Sequence, residues 1–123
     1  DVFGGFSSVA VTKQDSDFHD PNIFAFTFES HGRCMTPQRF VVKSELKDNA
    51  CVKLRRFSSG DFIGFWVGGN SACFFLGNEG SNSYCQDLSR AFEGLQDTTL
   101  TGKNGTFGWP HFHCTRLVAL QLS

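Results

Sequence analysis

The chain has 123 residues, of which 40% are apolar, and eleven basic side chains face twelve acidic ones for a net charge of −1. That length suits a single domain, and the apolar share is enough to fill its core. The charge balance excludes the basic footprint of a nucleic-acid or anionic-membrane binder, and no apolar run approaches the ~20 residues of a membrane-spanning helix.

Phe is the unusual residue, with fifteen copies against two Trp and one Tyr, in a chain that also holds thirteen Gly. Aromatic residues with many glycines favour strands joined by tight turns. Phe carries a large apolar surface and no polar handle, so this number implies either a thick core or an exposed adhesive face. Five cysteines are scattered along the chain: Cys34, Cys51, Cys73, Cys85 and Cys114. A small secreted framework shows an even count, so reduced thiols in an intracellular, cytoplasmic protein are expected. Asp1-Val2-Phe3 has no basic region and no small-residue cleavage site, so no signal peptide is read there. With no initiator Met, the chain is expected to be an excised piece.

In chain order, Val2 to Val11 alternates loosely after Gly4-Gly5, and Val9 and Val11 share one face of a predicted strand. Lys13 to Asn22 is polar, ends beside Pro21 and reads as a loop. Phe24, Phe26 and Phe28 then alternate with Ala25 and Thr27, which is the period-two mark of a half-buried strand. His31-Gly32-Arg33 marks a turn. Phe40-Val41-Val42 is a short apolar run with strand character. Cys51 to Phe57 fits spacing by two and by three, and its neighbours favour a strand. Phe62–Val67 and Ala72–Leu76, joined by Gly68-Gly69-Asn70, read as a hairpin. Gly77 to Asn82 is a loop. Leu88, Ala91, Phe92 and Leu95 have the spacing of one helical face, interrupted by Gly94. Thr98 to Trp109 reads as a long loop. Cys114 to Leu122 is apolar on both faces and is predicted to be a central, buried strand. Short strands between turns, with one or two short helices, predict a mainly β fold: a two-sheet antiparallel β-sandwich forming a single domain over 1–123.

The most site-like string is His111-Phe112-His113-Cys114. On a strand, His111 and His113 share a face and could hold a metal, with Cys85, His31 or Cys34 as third ligand. Without a C-x-x-C or H-E-x-x-H pattern, two histidines that hydrogen-bond locally are the simpler reading, and no metal or other cofactor is expected. A reactive thiol at Cys34, Cys85 or Cys114 would need a neighbouring cation or helix N-terminus to lower its pKa. Arg33 adjoins Cys34, yet most free cysteines behave as small buried hydrophobes. Gly68-Gly69-Asn70 lacks the residues of a phosphate loop. Glu29, Glu45, Glu79 and Glu93 are dispersed, so no acid–base pair emerges. Lys53 and Arg55 fit the solvent face of a strand.

Four strings occur in order: Val2-Phe3-Gly4-Gly5-Phe6, Asp20-Pro21-Asn22-Ile23-Phe24-Ala25-Phe26-Thr27-Phe28, Gly64-Phe65-Trp66-Val67-Gly68-Gly69, and Arg116-Leu117-Val118-Ala119-Leu120-Gln121-Leu122. Together they resemble the TLDc domain, in particular the divergent TLDc-like proteins of protozoa. The resemblance implies two antiparallel sheets packed as a sandwich, a link to oxidative-stress resistance and, as for several members, binding to a subunit of the vacuolar proton ATPase. It implies no catalytic residue. The family pattern begins upstream of this chain's first residue, so a missing N-terminal part, an open strand edge and exposed Phe are expected. The function expected is that of a non-catalytic protein-interaction module. A thiol protein that consumes oxidant through its free cysteines is the alternative, and a DNA-binding regulator ranks below both.

Overall fold

The computed structural model describes residues 1–55, 61–67, 72–77, 83–102 and 111–122, without the side chains of 61, 62, 72 and 73. The strands among them are β1 (Val2–Phe6), β2 (Phe18–His19), β3 (Phe24–Glu29), β4 (Gln38–Val41), β5 (Cys51–Leu54), β6 (Asp61–Trp66), β7 (Ala72–Gly77), β8 (Ser83–Cys85) and β9 (His111–Phe112). They form a three-stranded sheet, β1-β3-β4, and a six-stranded sheet, β2-β5-β6-β7-β8-β9. Every pairing is antiparallel. The expected two-sheet, mainly β architecture is therefore present.

Residue size decides which face of β3 is buried. Ala25 and Thr27 are fully buried and point to the core, while Phe24, Phe26 and Phe28 point out. The facing strands β6 and β7 supply the bulk, through Phe65 and Phe74 stacked at 4.7 Å. A Cβ added at Gly5 would run into both of those rings. Small residues on one sheet thus make room for large ones on the other, which is how facing layers reach interior packing density. Ile23, Phe40, Val42, Val52, Leu88, Phe92, Leu95 and Leu100 belong to the same core.

Asp20 ties the corner where the chain crosses from β2 to β3. Its carboxylate accepts hydrogen bonds from the Ser7 hydroxyl (3.0 Å), the Ser8 amide (2.6 Å), the Ser8 hydroxyl (2.8 Å) and the Asn22 amide (2.9 Å). Its own amide donates to the Ala50 carbonyl at 3.0 Å. Burial alone would push the Asp20 carboxyl up, but the donors from Ser8, Asn22 and Ser7 hold it below the ordinary aspartate value.

Several expectations shift. β1 ends at Phe6 because Ser7 and Ser8 turn to Asp20; Val9 and Val11 still pack on the core, without strand pairing. The polar stretch 13–22, read as a loop, contains β2; β8, three residues long, lies outside the predicted strands, and β9 is a two-residue strand at His111-Phe112. The hairpin of β6 and β7 forms; its turn, Gly68-Gly69-Asn70, lies outside the described residues, as do Glu79 and most of the 77–82 and 98–109 loops. Within the predicted helical stretch only Leu88–Ala91 is α-helical, yet all four residues of the predicted helical face are buried: Leu95 reaches the core after a turn at Gly94, whose φ is +72°.

The reading of Cys114 to Leu122 as a central buried strand is corrected. No strand forms there, and Leu117, Val118, Leu120 and Leu122 are 48%, 59%, 80% and 73% exposed. A strand apolar on both faces needs a layer on each side, and the space between the sheets is already filled by Phe65, Phe74 and their neighbours. Among the described residues, no helix is long and apolar enough to cross a membrane.

Candidate functional site

The outward face of the three-stranded sheet is aromatic. Antiparallel register places Phe6 and Val41 on either side of Phe24, and Gly4 and Arg39 on either side of Phe26. Phe6 stacks on Phe24 with centroids 4.6 Å apart, and the row continues through Phe26 at 6.4 Å and Phe28 at a further 5.0 Å. Gly4 makes room for this row: a Cβ there would stand 2.7 Å from the Phe26 ring. Phe28 ends the row 63% exposed. Four connected rings on the solvent side of a sheet differ from the scattered apolar residues of an ordinary surface.

At the Phe6 end the row borders an open groove of about 230 Å³. Phe6, Phe24, Val41, Pro21 and Ile23 give it apolar walls, and Arg39 and Lys47 are its charged residues. The Arg39 guanidinium lies 5.1 Å from the Phe24 ring centroid, a cation–π contact that holds the charge over the aromatic floor. Lys47 comes from the 3₁₀ turn Ser44–Asn49, which follows β4. No carboxylate lines the groove. Among the described residues neither cation forms an ion pair; the lysine and arginine pairs present are Lys53–Asp17, Arg33–Asp1 and Arg90–Asp87. Asp20 stands immediately before Pro21, and its hydrogen bonds fix the Pro21-Asn22 wall.

The metal candidates from the sequence do not converge. His111 pairs with Tyr84 on the outward face of the six-stranded sheet, with ring centroids 6.2 Å apart. Cys85, the next residue along β8, points the opposite way into the core and is 1% exposed. His113 lies past the end of β9 and is exposed. His31 instead meets Asp1 at 2.9 Å and Glu29 at 3.5 Å on the surface. Its backbone amide also donates to Glu29 at 2.5 Å, and that bond is the main cause holding the Glu29 carboxyl below its ordinary value. Asp1, Glu29 and His31 are thus an exposed ion-pair cluster already satisfied by one another and by Arg33.

The thiols are equally separate. Cys34, Cys51, Cys85 and Cys114 are not joined in disulfides, and the side chain of Cys73 lies outside the described ones. The Arg33 guanidinium is engaged away from the thiols: it donates to the carbonyls of Thr99 (2.9 Å) and Leu100 (3.1 Å) and pairs with Asp1. Burial, helped by the Asp17 charge, pushes the Cys51 thiol up, the direction opposite to that of a reactive thiolate. Cys114 donates to the Arg116 carbonyl at 3.4 Å. Lys53, read as a solvent-face charge, is paired with Asp17 at 3.0 Å and mostly covered.

Sequence reasoning singled out the Phe24–Phe28 alternation but missed Arg39, Lys47 and the groove. Alternation along Arg39-Phe40-Val41-Val42 carries part of the signal, since a buried Phe40 and Val42 put Arg39 and Val41 on the outer face. The meeting of β4 with Phe6 and Lys47 requires strand register, which no local pattern encodes. Compared with protein-family models, curated proteins and solved structures, the chain matches none.

Proposed function

We propose that this chain is a non-catalytic protein-interaction module that docks a partner on the outward face of β1, β3 and β4. The observation that carries the reading is the connected row Phe6–Phe24–Phe26–Phe28, which faces solvent while smaller residues fill the core behind it. Aromatic rings and an arginine at a surface are the side chains that most often dominate binding energy. The separation of the histidines and thiols adds support, since no acid, base and nucleophile stand together among the described residues.

The resemblance to the TLDc domain makes the vacuolar proton ATPase the first partner to try, with oxidative-stress response as the setting. The test is a binding titration of the whole chain against the purified peripheral sector of that ATPase, repeated with Phe28→Asp. Binding weakened about tenfold or more by Phe28→Asp supports both the face and the partner. Equal binding by the variant moves the contact elsewhere. Absence of binding by either protein removes this partner.

The thiol alternative rests on the free cysteines. Peroxide consumption that persists when all are replaced by Ser would end it.

A further inference from the structure

We propose that the groove beside Phe24 takes an extended acidic segment of a partner protein, in which a carboxylate lies next to a large apolar side chain. The inference deepens the docking reading and rests on it.

The groove asks for both chemistries at once. Its walls are the stacked Phe6 and Phe24 rings, Pro21 and Val41, which suit a leucine or an aromatic side chain. Its charges are Arg39 and Lys47, with no carboxylate in the lining. The acidic residues nearest in the chain are otherwise placed. Asp20 is turned back onto Ser7 and Ser8, while Glu45 and Asp48 share the exposed 3₁₀ turn of Lys47 and do not line the groove. Arg39 is held over the Phe24 ring, so the ordering cost of presenting its planar donors is already partly met. A guanidinium presented this way accepts a carboxylate through paired N–H donors.

A polyanion fits less well. The cations are limited to this pair, the chain's net charge is −1, and an apolar wall offers nothing to a phosphate backbone. The volume of the groove, about 230 Å³, suits one or two side chains and not a folded ligand.

The experiment is display selection of random dodecapeptides on the whole immobilised chain, followed by affinity measurement on Arg39→Glu/Lys47→Glu and on Phe28→Asp. Both substituted positions in the first variant are exposed, and circular dichroism with a melting curve confirms that each variant folds. The proposal expects enrichment of peptides that pair Asp or Glu with Leu, Phe, Tyr or Trp. It expects about tenfold or greater loss of affinity in the double charge reversal, and recovery of part of it in Arg39→Lys. Enriched peptides without acidic preference, or binding unchanged by the charge reversal, overturn it. If those peptides bind normally to the charge-reversed chain but fail on Phe28→Asp, the docking face stands and the groove assignment falls. If no peptide is enriched, both fall. A dimer in light scattering that the charge reversal dissociates makes a second copy the occupant and also overturns the proposal.

Discussion

Both sheets carry an aromatic row on their outward face, and each row crosses a glycine. On the larger sheet Trp66 meets Phe75 edge-on at 4.3 Å, Phe75 meets Tyr84 at 4.9 Å, and a Cβ at Gly64 would collide with Phe75 and Trp66. On the smaller sheet the row is Phe6 to Phe28, with Gly4 beneath Phe26. The outcomes differ: Phe75 is 3% exposed and Phe28 63%. The first row is closed, with its central ring enclosed by its neighbours, and contributes to stability as a core does. The second is open at Phe28 and beside the groove, so its apolar surface is still available for binding. Composition is shared by the two rows, and enclosure separates their roles.

The comparison gives the largest expected effect. Phe75→Ala removes an enclosed ring and is expected to cost about 3–5 kcal/mol in urea-unfolding experiments. Phe28→Ser removes an exposed one and is expected to cost under about 0.5 kcal/mol. Equal costs would mean that the Phe28 row is as enclosed as the Phe75 row and would remove the case for docking there.

Next is Asp20, which fixes the wall between β1 and the groove. Asp20→Ala leaves the Ser8 and Asn22 amides without their acceptor and is expected to cost about 3 kcal/mol. The carboxyl's folded value lies below its unfolded one. Its stabilisation is therefore complete above the unfolded value and is lost as pH falls through the folded value. Stability of the wild type is expected to decline on acidification below about pH 4, and Asp20→Asn to flatten that part of the profile. An unchanged acid limb in Asp20→Asn would assign the decline to other carboxylates.

The fold class was legible because period-two alternation and Gly-rich punctuation survive in Phe24–Phe28 and in the hairpin of β6 and β7. Which side of β3 faces inward was not. The alternation alone is symmetric, and the choice depends on Phe65 and Phe74 arriving opposite Gly5, the β1 neighbour of Ala25, from a distant part of the chain. The candidate site was half legible for the same reason: its rings lie along one strand, whereas Arg39 and Lys47 join them only through sheet register and a turn. Leu88, Ala91, Phe92 and Leu95 show a gentler version. Their spacing marked the buried residues correctly although only one helical turn forms.

The adjacent glycines of β1 test the same division on a smaller scale. Gly5→Ala pushes a methyl into the stacked Phe65 and Phe74 rings and is expected to cost about 1–3 kcal/mol. Gly4→Ala meets the tip of Phe26, on a face where the ring can swing into solvent, and is expected to cost under about 0.5 kcal/mol. Thermal unfolding of the pair reads the difference. If Gly4→Ala were the costlier, Phe26 would have to be held as firmly as a core ring.

The smallest effect is expected at the C-terminal segment, and it bears on how far apolar pattern alone can be trusted. Leu120 is 80% exposed, and residues 113–122 pair with no strand. Leu120→Asp is therefore expected to change stability by less than about 0.5 kcal/mol, measured by denaturant unfolding of the whole chain. The sequence pattern, apolar on both faces, demands the opposite: a charge inserted at a buried strand position costs several kcal/mol. The two expectations differ by far more than the error of the measurement. A large loss would mean that this segment is a strand of the folded protein after all and occupies a sheet edge. A negligible loss would leave Leu117, Val118, Leu120 and Leu122 as exposed apolar surface whose pattern reflects β-propensity without a partner strand.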